Sequence, residues 1–465
     1  MKLAKINFAT KEMVKLSYSF LQSLIILSAI GSPAIALGLK PLETYSPGIY
    51  DDAAANIPTY DPVTRNIFVN NKSSNQIDIL NISNPRTPLL QKSITIESIN
   101  PHLGTVNSVA FDRGILAAAV ENKNAQDLGE VLFFNAVGDL LDSVTVGPLP
   151  DMLTFTPDGN RLLVANEGEP SGDYLTDPQG SISIIDLANG VGSLSQDDVI
   201  NVGFEGVSLI GDVRIFGPGA TPAQDLEPEY ITVAEDGNKA WVTLQENNAI
   251  AILDLVNNKF ETVVDLGVKD YSLEDNSLDA SDRDGKIDIT TYDNLLGFYQ
   301  PDEIASYTVD GKTYLVTANE GSSREYEFED ANGETQVGFN EESRVKDLEL
   351  DPTAFPNAEA IQQDEVLGRL IVTNTLGDTD GDGDFDLLYT FGGRSLSIWD
   401  EEGNLVWDSG DRLEQITADR FPDFFNSDNA ENNFDNRSDN KGPEPEGITI
   451  GKIGDRFIAF VGSER

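Results

Sequence analysis

Short apolar runs separated by turn residues recur along the chain and predict pairs of antiparallel strands. In the clearest copy, the apolar segments 150–155 and 162–167 flank the turn Pro157-Asp158-Gly159. The same plan returns at 227–246, 301–320 and 443–464, and in weaker form at 67–80, 116–134 and 387–400. An Asp-Gly pair between two apolar runs is a hairpin signal, because glycine adopts positive φ at little cost.

Seven such copies, with few helical periods between them, predict an all-β fold, a seven-bladed β-propeller. A β-sandwich is the structural alternative, but it would not repeat the same chemistry at its strand ends. Polar insertions are expected to form long loops around 190–222, 270–298, 322–365 and 408–441. The sequence stops directly after the last copy, so we expect an incomplete last blade in a chain truncated at its carboxyl terminus.

The amino terminus has the pattern of a secretory signal. Lysines at 2, 5, 11 and 15 precede a short apolar run that ends in Pro33-Ala34-Ile35-Ala36. Residues 1–36 are therefore predicted to be a signal peptide, and residues 37–465 a single propeller domain. No later stretch is long and apolar enough to span a membrane. We expect a secreted, periplasmic or cell-surface protein without a membrane span after cleavage.

The amino-acid composition limits which partners and which reactive groups this protein can use. The chain has 79 acidic and 31 basic residues, a formal net charge of -48, which disfavours nucleic acid as a partner and attracts cations. Cysteine is absent and His102 is the single histidine, which excludes disulfides, thiolate nucleophiles and zinc sites with several imidazoles. Carboxylates and a metal ion remain as the chemical resources. The alternative is that the charge serves solubility alone.

Two aspartate-rich segments predict calcium loops. Alternate residues of 378–386 are acidic and glycine lies between them, which reproduces the oxygen spacing of a calcium loop. Its predicted ligands are Asp378, Asp380, Asp382, Asp384 and Asp386. Tyr389 stands where an EF-hand has its last glutamate, so the segment is not a standard EF-hand. A shorter version, preceded by Asp279, offers Asp282, Asp284 and Asp288. The alternative for both is a solvated acidic turn.

Acidic residues also begin or end equivalent strands of the repeat. In a propeller such positions converge on the central channel, where like charges require a cation or protons. The predicted metal ligands there are Glu167, Glu229, Glu246, Glu320 and Glu446. Weaker candidates for binding an anionic substrate are Arg324, Arg394 and Arg437. No catalytic residue is predicted, and the carboxylates would otherwise cap blade edges in solvent.

Several motifs resemble those of the choice-of-anchor I family. They are 149–152 (LPDM), 164–170 (VANEGEP), 226–230 (LEPEY), 278–285 (LDASDRDG), 317–321 (TANEG), 374–378 (NTLGD) and 441–447 (KGPEPEG). The resemblance implies a secreted or surface propeller, and some members are named as atypical, calcium-linked alkaline phosphatases of cyanobacterial type. It thus implies an exported calcium-binding propeller acting on small phosphomonoesters. The alternative is a non-catalytic, calcium-stabilised module that binds a surface ligand.

Overall fold

The computed structural model describes residues 39–49 and 54–465, together with the backbone of β1 (Ile25–Ile26). β1 pairs antiparallel with Val461 and Phe460 in the last strand. Apart from that backbone pair, the predicted signal peptide lies outside the described residues. Its cleavage therefore stays a prediction.

Four sheets occupy the first part of the described chain. Sheet 1 contains β2 (Pro58–Asp61), β3 (Asn66–Asn71), β4 (Gln76–Asn81) and β5 (Leu89–Thr95). Sheet 2 contains β6 (Leu103–Asp112), β7 (Ile115–Asn122), β8 (Leu128–Asn135) and β9 (Leu140–Pro148). Sheet 3 contains β10 (Pro150–Phe155), β11 (Arg161–Asn166), β12 (Ser181–Asp186) and β13 (Val199–Gly203). Sheet 4, in the order β14-β18-β17-β16-β15, contains β14 (Leu209–Ile210), β15 (Ile231–Val233), β16 (Lys239–Leu244), β17 (Ala249–Asp254) and β18 (Lys259–Asp265).

The remaining strands form two further sheets of the same kind, an inserted sheet and a separate hairpin. The inserted sheet begins with β19 (Val268–Asp270) and β20 (Leu295–Phe298), and sheet 5 with β21 (Ile304–Val309) and β22 (Lys312–Asn319). The hairpin is β23 (Glu325–Glu329) and β24 (Thr335–Asn340). β25 (Glu342–Arg344), β26 (Ile371–Thr373) and β27 (Leu388–Thr390) complete the inserted sheet, and β28 (Ser395–Asp400) and β29 (Leu405–Asp408) complete sheet 5. Sheet 6 is β30 (Pro445–Ile453) and β31 (Arg456–Ser463), with β1 at its edge.

Helices are short in the described part of the chain. The α-helices are α1 (Pro222–Asp225), α2 (Ala358–Ile361) and α3 (Arg412–Arg420). The 3₁₀ turns are Ile96–Ser98, Val191–Ser193, Gln196–Asp198, Glu274–Asn276, Val345–Asp347 and Pro422–Phe424. The predicted all-β class is confirmed.

The second strand of each of sheets 1 to 5 is buried on both faces, which explains its nearly continuous apolar sequence. In β11, Leu162 and Val164 pack into the core between sheets 2 and 3, whereas Leu163 and Ala165 pack into the core between sheets 3 and 4. In β16, Trp241 likewise faces sheet 5. Successive sheets therefore share cores around a ring, as in a propeller. No buried apolar cluster of the described residues joins sheet 6 back to sheet 1.

The first strands of the six ring sheets lie side by side around a centre. β2 contacts β6, β6 contacts β10, and the series continues through β15 and β21 to β30. A central cavity of about 340 Å³ is lined by four of these strands, β10, β15, β21 and β30, with Met152, Tyr230, Ile304 and Ile448 among its residues. The predicted Asp-Gly turns connect β10 to β11, β15 to β16 and β21 to β22, and their glycines have φ of 67°, 72° and 77°.

The predicted count of seven blades is not confirmed. The copy predicted at 387–400 is wrong as a blade, because β27 pairs with β20 and β26 in the inserted sheet while β28 is the third strand of sheet 5. The four insertions predicted as loops also contain regular structure. The segment 190–222 contains β13 and β14, 270–298 contains β20, 322–365 contains β23 to β25, and 408–441 contains α3. A parallel β20–β27 pair fixes this inserted sheet from two distant segments, a long-range pairing without a local sequence signal.

Candidate functional site: the carboxylate rim

Each of four ring sheets begins with an irregularity that places an acidic side chain at one rim of the central cavity. The register shifts between Pro150 and Met152, leaving Asp151 outside the ladder, and a similar shift surrounds Glu446 in β30. Glu229 and Tyr230 both face Thr243, and Asp302 and Glu303 both face Ala318. Such β-bulges re-aim a side chain, which accounts for the recurring acid at the start of the inner strand.

The second strands deliver their glutamates to the same rim through a repeated side-chain network. At the end of β11, the Asn166 amide donates to the hydroxyls of Ser181 and Ser183 at 3.2 and 2.8 Å. At the end of β22, Asn319 donates to Ser395 and Ser397 at 3.1 and 2.7 Å. These buried asparagines fix the strand ends immediately before Glu167 and Glu320.

Together these elements form what we call the carboxylate rim, a set of half-buried and buried acids from sheets 3 to 6. Its members are Asp151, Glu167, Glu169, Glu227, Glu229, Glu246, Asp302, Glu303, Glu320, Glu446 and Glu464. The structure thus brings together all five predicted strand-end ligands. Glu121 from sheet 2 lies close enough to influence Asp151.

Burial and mutual repulsion disfavour the charged form of several of these acids. Burial raises the pKa of Glu167, Glu227, Glu229 and Asp302 well above the usual range and is the largest cause at each of these four. It raises the pKa of Glu169, Glu303 and Glu446 to about 7. Neighbouring carboxylates add to the shift at Glu167, where Glu169, Asp151, Glu246 and Glu227 all contribute. The rim therefore favours protons or a cation.

One part of the rim makes no ion pair, although the charge of Arg324 reaches Glu169 and Glu246. In the described part of the chain, no lysine or arginine lies within ion-pair distance of Glu167, Glu169, Glu229 or Glu246. Glu246 is 8% exposed, and its Oε2 is buried without any hydrogen-bond partner. A buried carboxylate oxygen without a partner is suited to bind a cation, since buried polar atoms are otherwise almost always paired.

The other part of the rim is balanced by positive charge. Lys441 Nζ lies 2.7 Å from Glu320 Oε1 and also donates to the carbonyl of Gly321 at 2.8 Å. Glu320, Glu444 and Glu464 place carboxylate oxygens within 4.8 Å of one another. Burial opposes ionisation of Glu444, but Lys441, Arg437 and Arg465 lower its pKa overall. Of the five predicted ligands, Glu320 is therefore the one committed to a lysine.

The predicted aspartate loop at 378–386 is exposed from Asp378 to Gly383 and half-buried from Asp384 to Asp386. Asp378, Asp380 and Asp382 offer oxygens within 4.8 Å of one another, and so do Asp384 and Asp386 with Asp351. Asp378 accepts hydrogen bonds from the backbone of Gly381 and Gly383 at 2.7 and 3.0 Å, which curls the loop around its first carboxylate. The spacing and the fold agree, and calcium binding there stays a prediction.

The model of the choice-of-anchor I domain matches residues 56–465, nearly the whole chain. The chain belongs to the choice-of-anchor I family. The resemblance read from the motifs is confirmed.

Two curated relatives match parts of this choice-of-anchor I chain. A mesenchyme-specific cell surface glycoprotein of Strongylocentrotus purpuratus is 33% identical over 272 residues, covering 52% of this chain and 34% of that protein. Gigasin-3a of Magallana gigas is 39% identical over 112 residues, covering 23% of this chain and 39% of that protein. The matched region is thus little more than a third of either relative's length.

Solved structures resemble the choice-of-anchor I chain only distantly. A functionally unknown protein from Desulfotomaculum acetoxidans has a TM-score of 0.35 at 12% identity, covering 80% of this chain and 90% of that one. The β-propeller domain of Myceliophteria thermophila Cps50 (Swd1) has a TM-score of 0.30 at 10% identity, covering 55% and 64%. Likeness at this level carries no information about function.

The arginines predicted to bind an anion have other partners in this choice-of-anchor I structure. Arg324 is 2% exposed and contacts Asp225 at 2.6 Å and Glu227 at 2.8 Å. Arg394 is equally buried and contacts Glu414 at 2.7 Å, and Arg437 contacts Glu444 at 2.7 Å. These contacts favour a structural role for all three guanidinium groups.

Some carboxylates of the shorter predicted calcium loop also form ion pairs with basic side chains. Asp282 lies 2.6 Å from the Nε of Arg369, and Asp288 is paired with Lys286. Asp284 lies 3.7 Å from the Lys286 ammonium, a weaker contact. The loop by itself therefore offers fewer free carboxylates than its sequence indicates.

Sequence reasoning missed three residues of these sites. Glu169 faces Glu246 across the rim, and the hydroxyl of Tyr326 in β23 donates to Glu169 Oε1 at 3.4 Å. Asp351 reaches the aspartate loop because its backbone pairs with Phe385 at 3.0 Å. The acid in the motif VANEGEP could have indicated Glu169. Tyr326 and Asp351 lie in insertions and carry no repeat signal.

Proposed function

We propose that this protein is an exported calcium-binding β-propeller that acts outside the cell or at its surface, with the cation held at the unbalanced part of the carboxylate rim. The proposed ligands are Glu167, Glu169, Glu229 and Glu246. The observation that carries the proposal is the orphaned, buried Oε2 of Glu246 among acids without an ion-pair partner. An all-oxygen donor set suits a hard cation such as calcium.

The location is supported by family membership, by the cell-surface name of the sea-urchin relative and by the predicted signal peptide. The helices of the described residues include none long and apolar enough to cross a membrane. The strongly negative charge also suits a compartment rich in calcium.

Calcium titration calorimetry tests this proposal with Glu246→Gln as the variant. The substitution keeps the shape of the side chain but removes a ligand charge, so calcium affinity should fall about tenfold or more. Glu235→Gln, in the exposed turn after β15, is the matched control and should bind as the wild type does. Equal affinity in wild type and Glu246→Gln would contradict the assignment of the rim.

A second candidate function is hydrolysis of small phosphomonoesters. The observation that favours it is the pKa of Glu169, raised to about 7 by burial and by Glu246, which suits proton transfer at neutral pH. A bound cation would neutralise the phosphate's charge next to these acids. Glu167 and Glu229 are only partly buried, so a small substrate has access to the rim. The Tyr326 hydroxyl orients Glu169.

The assay is release of p-nitrophenol from its phosphate ester, with calcium and with a chelator. The hydrolase proposal expects calcium-dependent turnover that falls about a hundredfold in Glu169→Gln. Calcium binding without turnover would instead support the non-catalytic module that binds a surface ligand. Turnover that survives both chelation and the substitution would contradict a role for the rim in hydrolysis.

A further inference from the structure

A second group of buried oxygens lies away from the carboxylate rim, where the loop 279–288 meets the segment 425–440. We call it the interloop cluster, formed by Asp279, Asp284, Asn426 and Asp435. The segment is closed by backbone hydrogen bonds from Asp435 to the Phe425 carbonyl at 2.9 Å and from Arg437 to the Asn426 carbonyl at 2.8 Å. These bonds bring Asn426 and Asp435 side by side.

Two atoms of the cluster are buried without a partner. Asp435 is 2% exposed, and Ser438 donates to its Oδ1 whereas its Oδ2 has no partner. Asn426 is also 2% exposed and donates through Nδ2 to Glu414 at 3.1 Å and to Ser438 at 2.8 Å. Its Oδ1 is left without a partner. Since buried polar atoms are nearly always paired, both oxygens indicate a ligand that the protein itself does not supply.

Two acids of the cluster, Asp279 and Asp435, are not balanced by basic side chains, whereas Asp284 lies 3.7 Å from the Lys286 ammonium. Glu414 is matched by Arg394, but Asp279 accepts only backbone hydrogen bonds, from Ser281 at 3.3 Å and Asp288 at 2.7 Å. Over the residues that the structure describes, Asp279 and Asp435 have no lysine or arginine within ion-pair distance.

The electrostatics agree with that geometry. Burial raises the pKa of Asp435 to about 8, and the charges of Asp279, Asp284 and Glu414 add to the shift. Burial likewise raises the pKa of Asp279 to about 6. Tyr292 lies near the cluster. Burial is the largest cause that raises its pKa, and the charges of Asp279 and Asp284 add to the shift. The surroundings of Asp279 and Asp435 thus disfavour ionisation of these two acids unless a cation is present.

We propose that the interloop cluster binds a divalent cation of the calcium class through Asp279, Asp284, Asp435 and the amide oxygen of Asn426. The donors are all hard oxygens, as calcium prefers. The ion would attach the segment 425–440 to the loop 279–288, and its site is separate from the rim. Asp282, which the sequence predicts as a ligand, bonds to Arg369 instead.

Equilibrium dialysis of calcium against the whole protein tests the proposal, with Asp435→Asn as the main variant. The variant should bind one calcium ion fewer than the wild type, or bind it about tenfold or more weakly. Asp423→Asn, an exposed aspartate next to the same segment, makes the same charge change and should bind as the wild type does. The double variant with Glu246→Gln should lose two ions, because the rim and the cluster are separate sites.

Terbium offers a second readout, because Tyr292 can transfer excitation energy to a lanthanide bound beside it. Tyrosine-excited terbium emission should fall in Asp435→Asn and be unchanged in Asp423→Asn. Unchanged stoichiometry and affinity in folded Asp435→Asn would overturn the proposal. If that variant does not fold, as far-ultraviolet circular dichroism would show, the less buried ligand Asp284 decides. Asp284→Asn should then lose the same ion, and wild-type binding by it would equally overturn the proposal.

Discussion

The carboxyl group of Glu303 connects three inner strands and should make the calcium-free protein less stable at alkaline pH. It accepts a hydrogen bond from the backbone nitrogen of Ile448 at 2.6 Å and another from the Tyr230 hydroxyl. Burial raises its pKa from 4.5 to about 7. The folded protein therefore retains a proton on Glu303 over a pH range in which the unfolded chain has lost it.

The raised pKa of Glu303 links the stability of the protein to pH. Because the folded-state pKa is the higher one, the stabilising contribution is complete below pH 4.5 and is lost as the pH rises through about 7. The shift from 4.5 to about 7 is 2.5 units, or about 3 kcal/mol at 1.36 kcal/mol per unit. Glu303→Gln is neutral at every pH and retains an acceptor oxygen for Ile448. We expect it to match the wild type near pH 4.5 and to exceed it by up to about 3 kcal/mol near pH 8.

Urea denaturation in the presence of a chelator measures this difference. Trp241 and Trp399 are both 1% exposed, so tryptophan fluorescence reports unfolding of sheets 4 and 5. The exposed Glu235→Gln serves as the matched control and should follow the wild type at both pH values. A Glu303→Gln variant no more stable than the wild type at pH 8 would refute the reasoning, because loss of the Glu303 proton would then not lower the free energy of unfolding.

Three further predictions concern other parts of the molecule. Arg324→Met should lower the free energy of unfolding in urea by about 3–5 kcal/mol, because it leaves two buried carboxylates unpaired. The control Arg283→Met, at an exposed site, should lower it by under about 0.5 kcal/mol. An Arg324→Met variant as stable as the wild type would instead support the anion-binding role. Calcium should raise the melting temperature of the wild type more than that of Asp382→Asn. A wild-type melting temperature that does not fall on chelation would argue against a structural ion at 378–386. Gly321→Ala should destabilise the protein by more than about 1 kcal/mol, since φ is 98° and the added Cβ would lie 2.4 Å from the Gly392 backbone; urea denaturation at the wild-type level would contradict that close approach.

The two proposed cation sites differ in what they would do. The rim lies at the centre of the ring, is partly open to solvent and draws ligands from neighbouring sheets, which suits contact with an external molecule. The interloop cluster is enclosed and connects two insertions, which suits a structural ion. Selective loss of one ion in Glu246→Gln and of another in Asp435→Asn would separate the two roles.

The repeat could be read from the chain because its signals are local. Alternating burial of β11 and β16, the Asp-Gly turns and the acids at strand ends all depend on neighbouring residues, and they placed Glu167, Glu229, Glu246 and Glu446 at one rim. The family was visible for the same reason, since its motifs coincide with those turns and bulges. The acidic composition favoured a cation as a partner, and that stays a prediction.

The tertiary structure decided what depends on contacts between distant segments. A parallel pairing between β20 and β27 moved 387–400 out of the predicted set of blades. Ion pairs across 97 residues or more committed Arg324 to Glu227 and Lys441 to Glu320, which no spacing rule anticipates. The same holds for Asp435, whose loop meets Asp279 only in the folded chain. Local pattern determined which side chains face the centre, whereas long-range packing decided which of their charges remain unpaired.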